Sequence, residues 1–114
     1  MPDQERVIHI RQPYFDLIQA GTKTIEVRVG YPGMRKIQTG ETLVFTSGDT
    51  TCRTKVVKVS EYSSFEEMLD TEDNHAIGSE GMTRDELLAV CRDIYPPEKE
   101  KLGVLAIHIE LVRP

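Results

Sequence analysis

The chain has 114 residues, 39% hydrophobic and 29% charged, with a net charge of −5. That length suits one domain, residues 1–114, burying roughly two thirds of its unfolded surface. No run approaches the roughly 18–20 apolar residues of a membrane span, so no membrane partner is expected.

The first residues, Met1-Pro2-Asp3-Gln4-Glu5-Arg6, are acidic and polar, which is not the pattern of a secretory signal. Val7-Ile8-His9-Ile10 reads as a first strand with Ile8 and Ile10 inward and His9 on the other side. Gln12-Pro13 turns the chain into a short helix over Pro13–Ala20, proline being suited to a first helical turn. Tyr14, Leu17 and Ile18 fall at helical spacing and form its buried stripe, with Phe15 beside it. Gly21 supplies the left-handed position that ends such a helix.

Next comes Lys23-Thr24-Ile25-Glu26-Val27-Arg28-Val29, a strand of alternating character. Strand side chains alternate, so Ile25, Val27 and Val29 share one face and Thr24, Glu26 and Arg28 the other. Three charged groups, Lys23, Glu26 and Arg28, are thus presented at the mouth and along one face of a strand whose other face is apolar, a pattern that any solvated strand face also produces. Gly30-Tyr31-Pro32-Gly33 reads as a loop, and 36–41 as a turn feeding a strand over Thr42–Ser47. Ser47-Gly48-Asp49-Thr50 is a hairpin turn. The returning strand, about 51–60, places Val57 and Val59 on one face and Val56 and Lys58 on the other. Long strands with apolar residues on both faces suggest a small closed or strongly bent sheet.

Ser64-Phe65-Glu66-Glu67 and Thr83-Arg84-Asp85-Glu86 are both capping boxes. The first opens a helix with Phe65, Met68 and Leu69 inward. The second, with Met82 and Leu87 spaced as a hydrophobic staple, opens one that buries Leu87, Leu88, Cys91 and Ile94 and stops at Pro96-Pro97. Val104–Val112 is the clearest strand: Leu105, Ile107, Ile109 and Leu111 alternate with Ala106, His108 and Glu110. Five strands and three short helices without a βαβ rhythm indicate an α+β domain on a small mixed β-barrel. Cys52 and Cys91 are widely spaced and read as reduced thiols of a cytoplasmic protein. The 72–81 connection holds one Asp, one His and two Glu at spacings that match no ligand motif, so no metal is expected.

Charge is uneven along the chain. Residues 1–59 balance at +3 and residues 60–114 at −8. A polyanion can therefore meet a local basic surface including Arg11, Lys23, Arg28, Arg35 and Lys36, although simple solubility gives the same asymmetry.

Gly21-x-Lys23-x-x-Glu26-x-Arg28, after a helix beginning Pro13-Tyr14-Phe15, resembles the signature of the ASCH domain. The likeness continues through Lys36-Ile37-x-x-Gly40-Glu41, Ile94-Tyr95-Pro96 and the last strand. The resemblance implies a PUA-like pseudo-barrel that binds RNA, or a nucleotide or nucleoside, in a cleft lined by this motif, with no cofactor. Some small stand-alone members are hydrolases, among them an acetylcytidine amidohydrolase and a ribonuclease. In the amidohydrolase the catalytic set is a lysine after the helix-ending glycine, a threonine three residues on, and a glutamate before the last long helix. Lys23 and Glu80 match the first and third; Glu26 occupies the threonine position and has no hydroxyl to act as nucleophile. Thr24 shares the strand face but sits about 7 Å away, at roughly 3.3–3.4 Å per residue.

Two functions follow from the resemblance. One is a binding module in which Arg11, Lys23, Arg28 and Lys36 contact phosphates and a base stacks on Tyr14 or Tyr31. Fixed acids there accept hydrogen bonds from base amino groups, which favours a nucleoside pocket over a backbone groove. The other is a metal-independent hydrolase of RNA or a modified nucleoside. In it, Glu26 and Glu80 divide the acid and base roles and Lys23 or Arg28 holds a developing oxyanion. The second reading requires the 72–82 connection to fold back over the second strand and bring Glu80 to it.

Overall fold

The computed structural model describes residues 5–78 and 81–112. Its elements are β1 (Glu5–His9), α1 (Gln12–Gln19), β2 (Ile25–Val29), α2 (Pro32–Arg35), β3 (Thr42–Ser47) and β4 (Thr50–Tyr62), followed by α3 (Phe65–Thr71), a 3-10 turn (Asn74–Ala76), α4 (Arg84–Ile94), α5 (Pro97–Glu100) and β5 (Val104–Leu111). The five strands form one curled, mixed sheet in the order β1-β3-β4-β5-β2. β1 runs parallel to β3, and the other neighbours are antiparallel. The result is an α+β half-barrel whose two free edges are β1 and β2.

β5 explains why the sheet can curl between helices. Leu105, Ile107 and Ile109 belong to a core with Ile8, Phe15, Ile18, Leu43, Phe45 and Val56. Val104 and Ala106, on its opposite face, belong to a second core with Ile25, Val29, Phe65, Met68, Ile77 and Leu87. The first half of β5, Val104–Ile107, is buried on both faces and apolar at every position, whereas its second half alternates with His108 and the exposed Glu110.

Several elements differ from the sequence-based expectation. Phe15 and Ile18, not Tyr14 and Leu17, are the fully buried residues of α1. The segment read as a loop after β2 makes a single helical turn, α2, and Pro97 starts another while terminating α4. Both short helices begin with proline, whose fixed φ is already helical. A register shift between Val56 and Lys58 leaves Val57 without a partner opposite. Such a bulge switches which side chains face inward. Val56 is therefore buried before it, Val59 packs inward after it, and Val57 is exposed. Ile94 is 41% exposed because α4 ends there and turns its last apolar residue towards a cavity. The capping box of α4 is complete, Thr83 and Glu86 bonding each other's backbone amides. Among the described residues no helix is long and apolar enough to cross a membrane.

Candidate functional site: a charged cleft at the open seam

No backbone pairing joins β1 to β2 among the described residues, and a cavity of about 200 Å³ opens beside this seam. The end of β1 and the residues after it contribute His9, Ile10 and Arg11, α1 contributes Tyr14, the segment before β2 contributes Lys23, and β2 contributes Glu26, Val27 and Arg28. Ile77 and Gly78 form a wall, with Leu87, Val90, Cys91 and Ile94 of α4 and the following Tyr95 beyond them. A volume below the roughly 300–1,000 Å³ of drug-sized pockets suits one small flat group.

The charged face of β2 is not solvated. Glu26 pairs in register with Ile107, and Arg28 with Leu105. Directly opposed residues on neighbouring strands share a face, so both charges stand on the side of the first core, at the place where the sheet ends. Glu26 is only 5% exposed, and Lys23 equally so. Removing such groups from water is costly unless each is paired. Pairing is what the site supplies: Arg28 Nε donates to Glu26 Oε2 at 2.6 Å, and Lys23 Nζ lies 3.4 Å from Glu26 Oε1. Arg28 also reaches across the seam, Nη2 donating to the His9 carbonyl at 3.3 Å. Two cations around one carboxylate leave the cluster with an excess positive charge, to which exposed Arg11 adds.

Lys23 enters from the segment after Gly21, whose φ of 81° ends α1. Its Nζ donates to the carbonyls of Ile25 at 2.7 Å and Ile77 at 2.6 Å. Burial lowers its pKa from the usual lysine value, and Glu26 opposes that shift. Burial pushes the Cys91 thiol up to about 11, with Lys23 pulling the other way. Tyr95 is raised by burial as well, and its ring stacks on Phe65 at 6.1 Å between centroids.

Arg11, Tyr14, Lys23, Glu26 and Arg28 are thus together. Lys36 is not among them: it lies by a separate shallow depression with Glu5, Arg6, Gln38 and Glu41. Arg35 is engaged elsewhere, bound to Glu61 at 2.6 and 2.8 Å and to the Gly30 carbonyl at 3.1 Å. Glu80 lies outside the described residues, although the connection it belongs to does fold against β2 through Ile77 and Gly78. Sequence reasoning missed His9, whose contribution is a backbone carbonyl that no side-chain pattern signals. It also missed Cys91 and Ile94 as cleft residues, since helical spacing marks an inward face but not a hollow within it. Among the described residues no three His, Cys, Asp or Glu side chains are grouped to hold a metal ion.

A half-open barrel with a polar cleft at its unclosed seam defines the class of protein. The ASCH domain family model matches residues 8–113, and the chain belongs to that family. Two solved structures are similar along their whole length. The crystal structure of the hypothetical protein PH0355 is 34% identical, with a TM-score of 0.87, covering 96% of this chain and 100% of that one. The solution NMR structure of protein PF0455 from Pyrococcus furiosus is 30% identical, with a TM-score of 0.80, covering 97% of this chain and 100% of that one. None of the curated proteins matches this chain.

Proposed function

We propose that this ASCH domain binds single-stranded RNA, or a nucleotide or nucleoside, by taking one base into the seam cleft. The observation that carries the reading is the convergence of Arg11, Tyr14, Glu26 and Arg28 on one cavity of base-like size. Tyr14 offers an aromatic face, and stacking on such faces is the common mode of single-strand recognition. Glu26, acceptor-only when ionised, keeps lone pairs beyond those used by Arg28 and Lys23; it selects a base with an amino group. Arg11 at the rim, and Arg28 in part, meet phosphate without reading sequence. Lys36 serves no part in this reading.

Metal-independent hydrolysis by Lys23, Glu26 and Glu80 is the alternative. In its favour is the burial of Lys23, which, opposed by Glu26, lowers the lysine's pKa in the direction proton transfer needs. One experiment separates the two. Wild type is titrated with the four ribonucleoside monophosphates, with short oligoribonucleotides and with a panel of modified nucleosides including N-acylated ones, and the mixtures are analysed for cleavage or deacylation products. Saturable, salt-sensitive binding without product, weakened about tenfold or more in Arg28→Ala and Tyr14→Ala, is the expected result. Turnover abolished by Glu26→Gln would establish the enzyme instead. Absence of both binding and turnover overturns the proposal.

A further inference from the structure

The geometry points to Lys23 as a positioning residue that never touches the ligand: it pins the Ile77–Gly78 wall of the cleft to β2 and fixes the orientation of Glu26. An ammonium has three N–H donors. Here two go to the carbonyls of Ile25 and Ile77 at 2.7 and 2.6 Å, and the third side of the nitrogen faces Glu26 Oε1 at 3.4 Å. No donor direction is left for a guest. Access is restricted as well: Lys23 lies at the cavity wall, but its side chain is only 5% exposed and its ammonium sits over the Tyr14 ring, 5.9 Å from the centroid.

What Lys23 holds is a wall without a ladder of its own. Beyond Thr71 the chain leaves α3, makes a 3-10 turn and is joined to the segment before β2 by the Thr24 amide, which donates to the Ala76 carbonyl at 2.9 Å. The Lys23–Ile77 bond is the next link along. Gly78 then packs so closely on α4 that a Cβ there would come within 2.7 Å of Leu87 Cδ2. A lysine is suited to this task because its long stem crosses apolar surroundings and ends in several donors. Arginine, with its planar fork, cannot place three donors around one point.

The inference rests on the cleft being the ligand site, and the test separates the two claims. Wild-type protein is followed by NMR through the Lys23 Nζ, Arg28 Nε and Tyr14 ring resonances during titration with cytidine monophosphate. At saturation the Arg28 and Tyr14 signals are expected to shift and the Lys23 ammonium signal to stay in place. In Lys23→Met, the Thr24 and Ile77 amides are expected to exchange with solvent about a hundredfold faster, with β4–β5 sheet amides unchanged. Affinity for cytidine monophosphate falls about tenfold in the same variant. A Lys23 signal that moves with Arg28's, or wall amides that keep their protection in Lys23→Met, overturns the assignment. Should no nucleotide bind, the proposed function fails, while the exchange comparison still decides whether Lys23 holds the wall.

Discussion

Glu26 sits directly across the sheet from Ile107, a residue with no exposed surface. A carboxylate in register with the core is held there, among the described residues, by the cations on either side of it, Lys23 and Arg28. Removing the carboxylate strands two buried or half-buried positive charges. Breaking a buried pair from one side costs about 3–5 kcal/mol. Glu26→Ala is therefore expected to lose about that much in urea denaturation. The Glu5–Arg53 pair, roughly half exposed on both sides, provides the contrast. Glu5→Ala should cost less than about 1 kcal/mol. Equal losses would show that the register of Glu26 does not govern its energy.

Alkaline pH probes the cleft floor through Cys91. Its folded pKa, about 11, lies above the unfolded value of 9.0 because burial disfavours the thiolate. Between these values the unfolded chain has released the proton and the folded chain has kept it. The corresponding stability is thus complete below pH 9 and is lost as pH rises through 11. Its size by pH 11 is about 2 kcal/mol, at about 1.4 kcal/mol per pH unit. Lys23 acts in the opposite sense: its lowered pKa makes stability rise with pH up to the unfolded value of 10.5. The stability of wild type relative to Cys91→Ala isolates the thiol, and it should fall by about 2 kcal/mol between about pH 8 and pH 11. A pH-independent difference would place the Cys91 sulfur in contact with water.

Three glycines near α2 should respond unequally to alanine. A Cβ on Gly30 would meet the Leu102 carbonyl at 2.5 Å, and one on Gly103, where φ is 96°, would meet Arg35 Nη2 at 2.7 Å. Both substitutions disturb the Arg35 clamp, which ties Gly30, Leu102 and Glu61 together. The left-handed conformation alone costs a side chain about 1–2 kcal/mol. Gly33 lies in α2 with open space around it, and alanine is the better helix former there. Thermal unfolding should rank Gly33→Ala at or above wild type, by up to about 1 kcal/mol, with Gly30→Ala and Gly103→Ala clearly below.

Arg11 and Glu26 should separate affinity from base preference. If Arg11 meets phosphate, Arg11→Ala weakens every oligoribonucleotide alike and flattens the salt dependence by about 0.7 in log–log slope, the value per single-strand phosphate contact. Glu26→Gln keeps the shape but gains an amide donor, so the advantage of cytidine, adenosine or guanosine over uridine should shrink about tenfold, with the salt slope unchanged. Titrations at two salt concentrations measure both. A uniform loss in Glu26→Gln would remove the carboxylate from base recognition.

The sequence by itself determined the elements and their caps. Alternation in 104–111, the caps at Ser64 and Thr83 and the glycine at 21 are local signals that fix local conformation, although at Ser64 only half of the expected box forms, Glu67 accepting from the Ser63 amide instead. The signature spacing Lys23, Glu26, Arg28 was legible too, and with it the family. What the tertiary structure alone decided is the direction of that charged face. Alternation says that Glu26 and Arg28 lie on one side of β2, but only the strand order, with β2 at a free edge beside β5, turns that side inward. The same holds for the wall at Ile77 and Gly78, contributed from more than 50 positions away, and for Lys36, adjacent to the motif in pattern yet placed in another depression. Periodicity is read along a chain, whereas a cleft is made where distant segments of the chain fail to close.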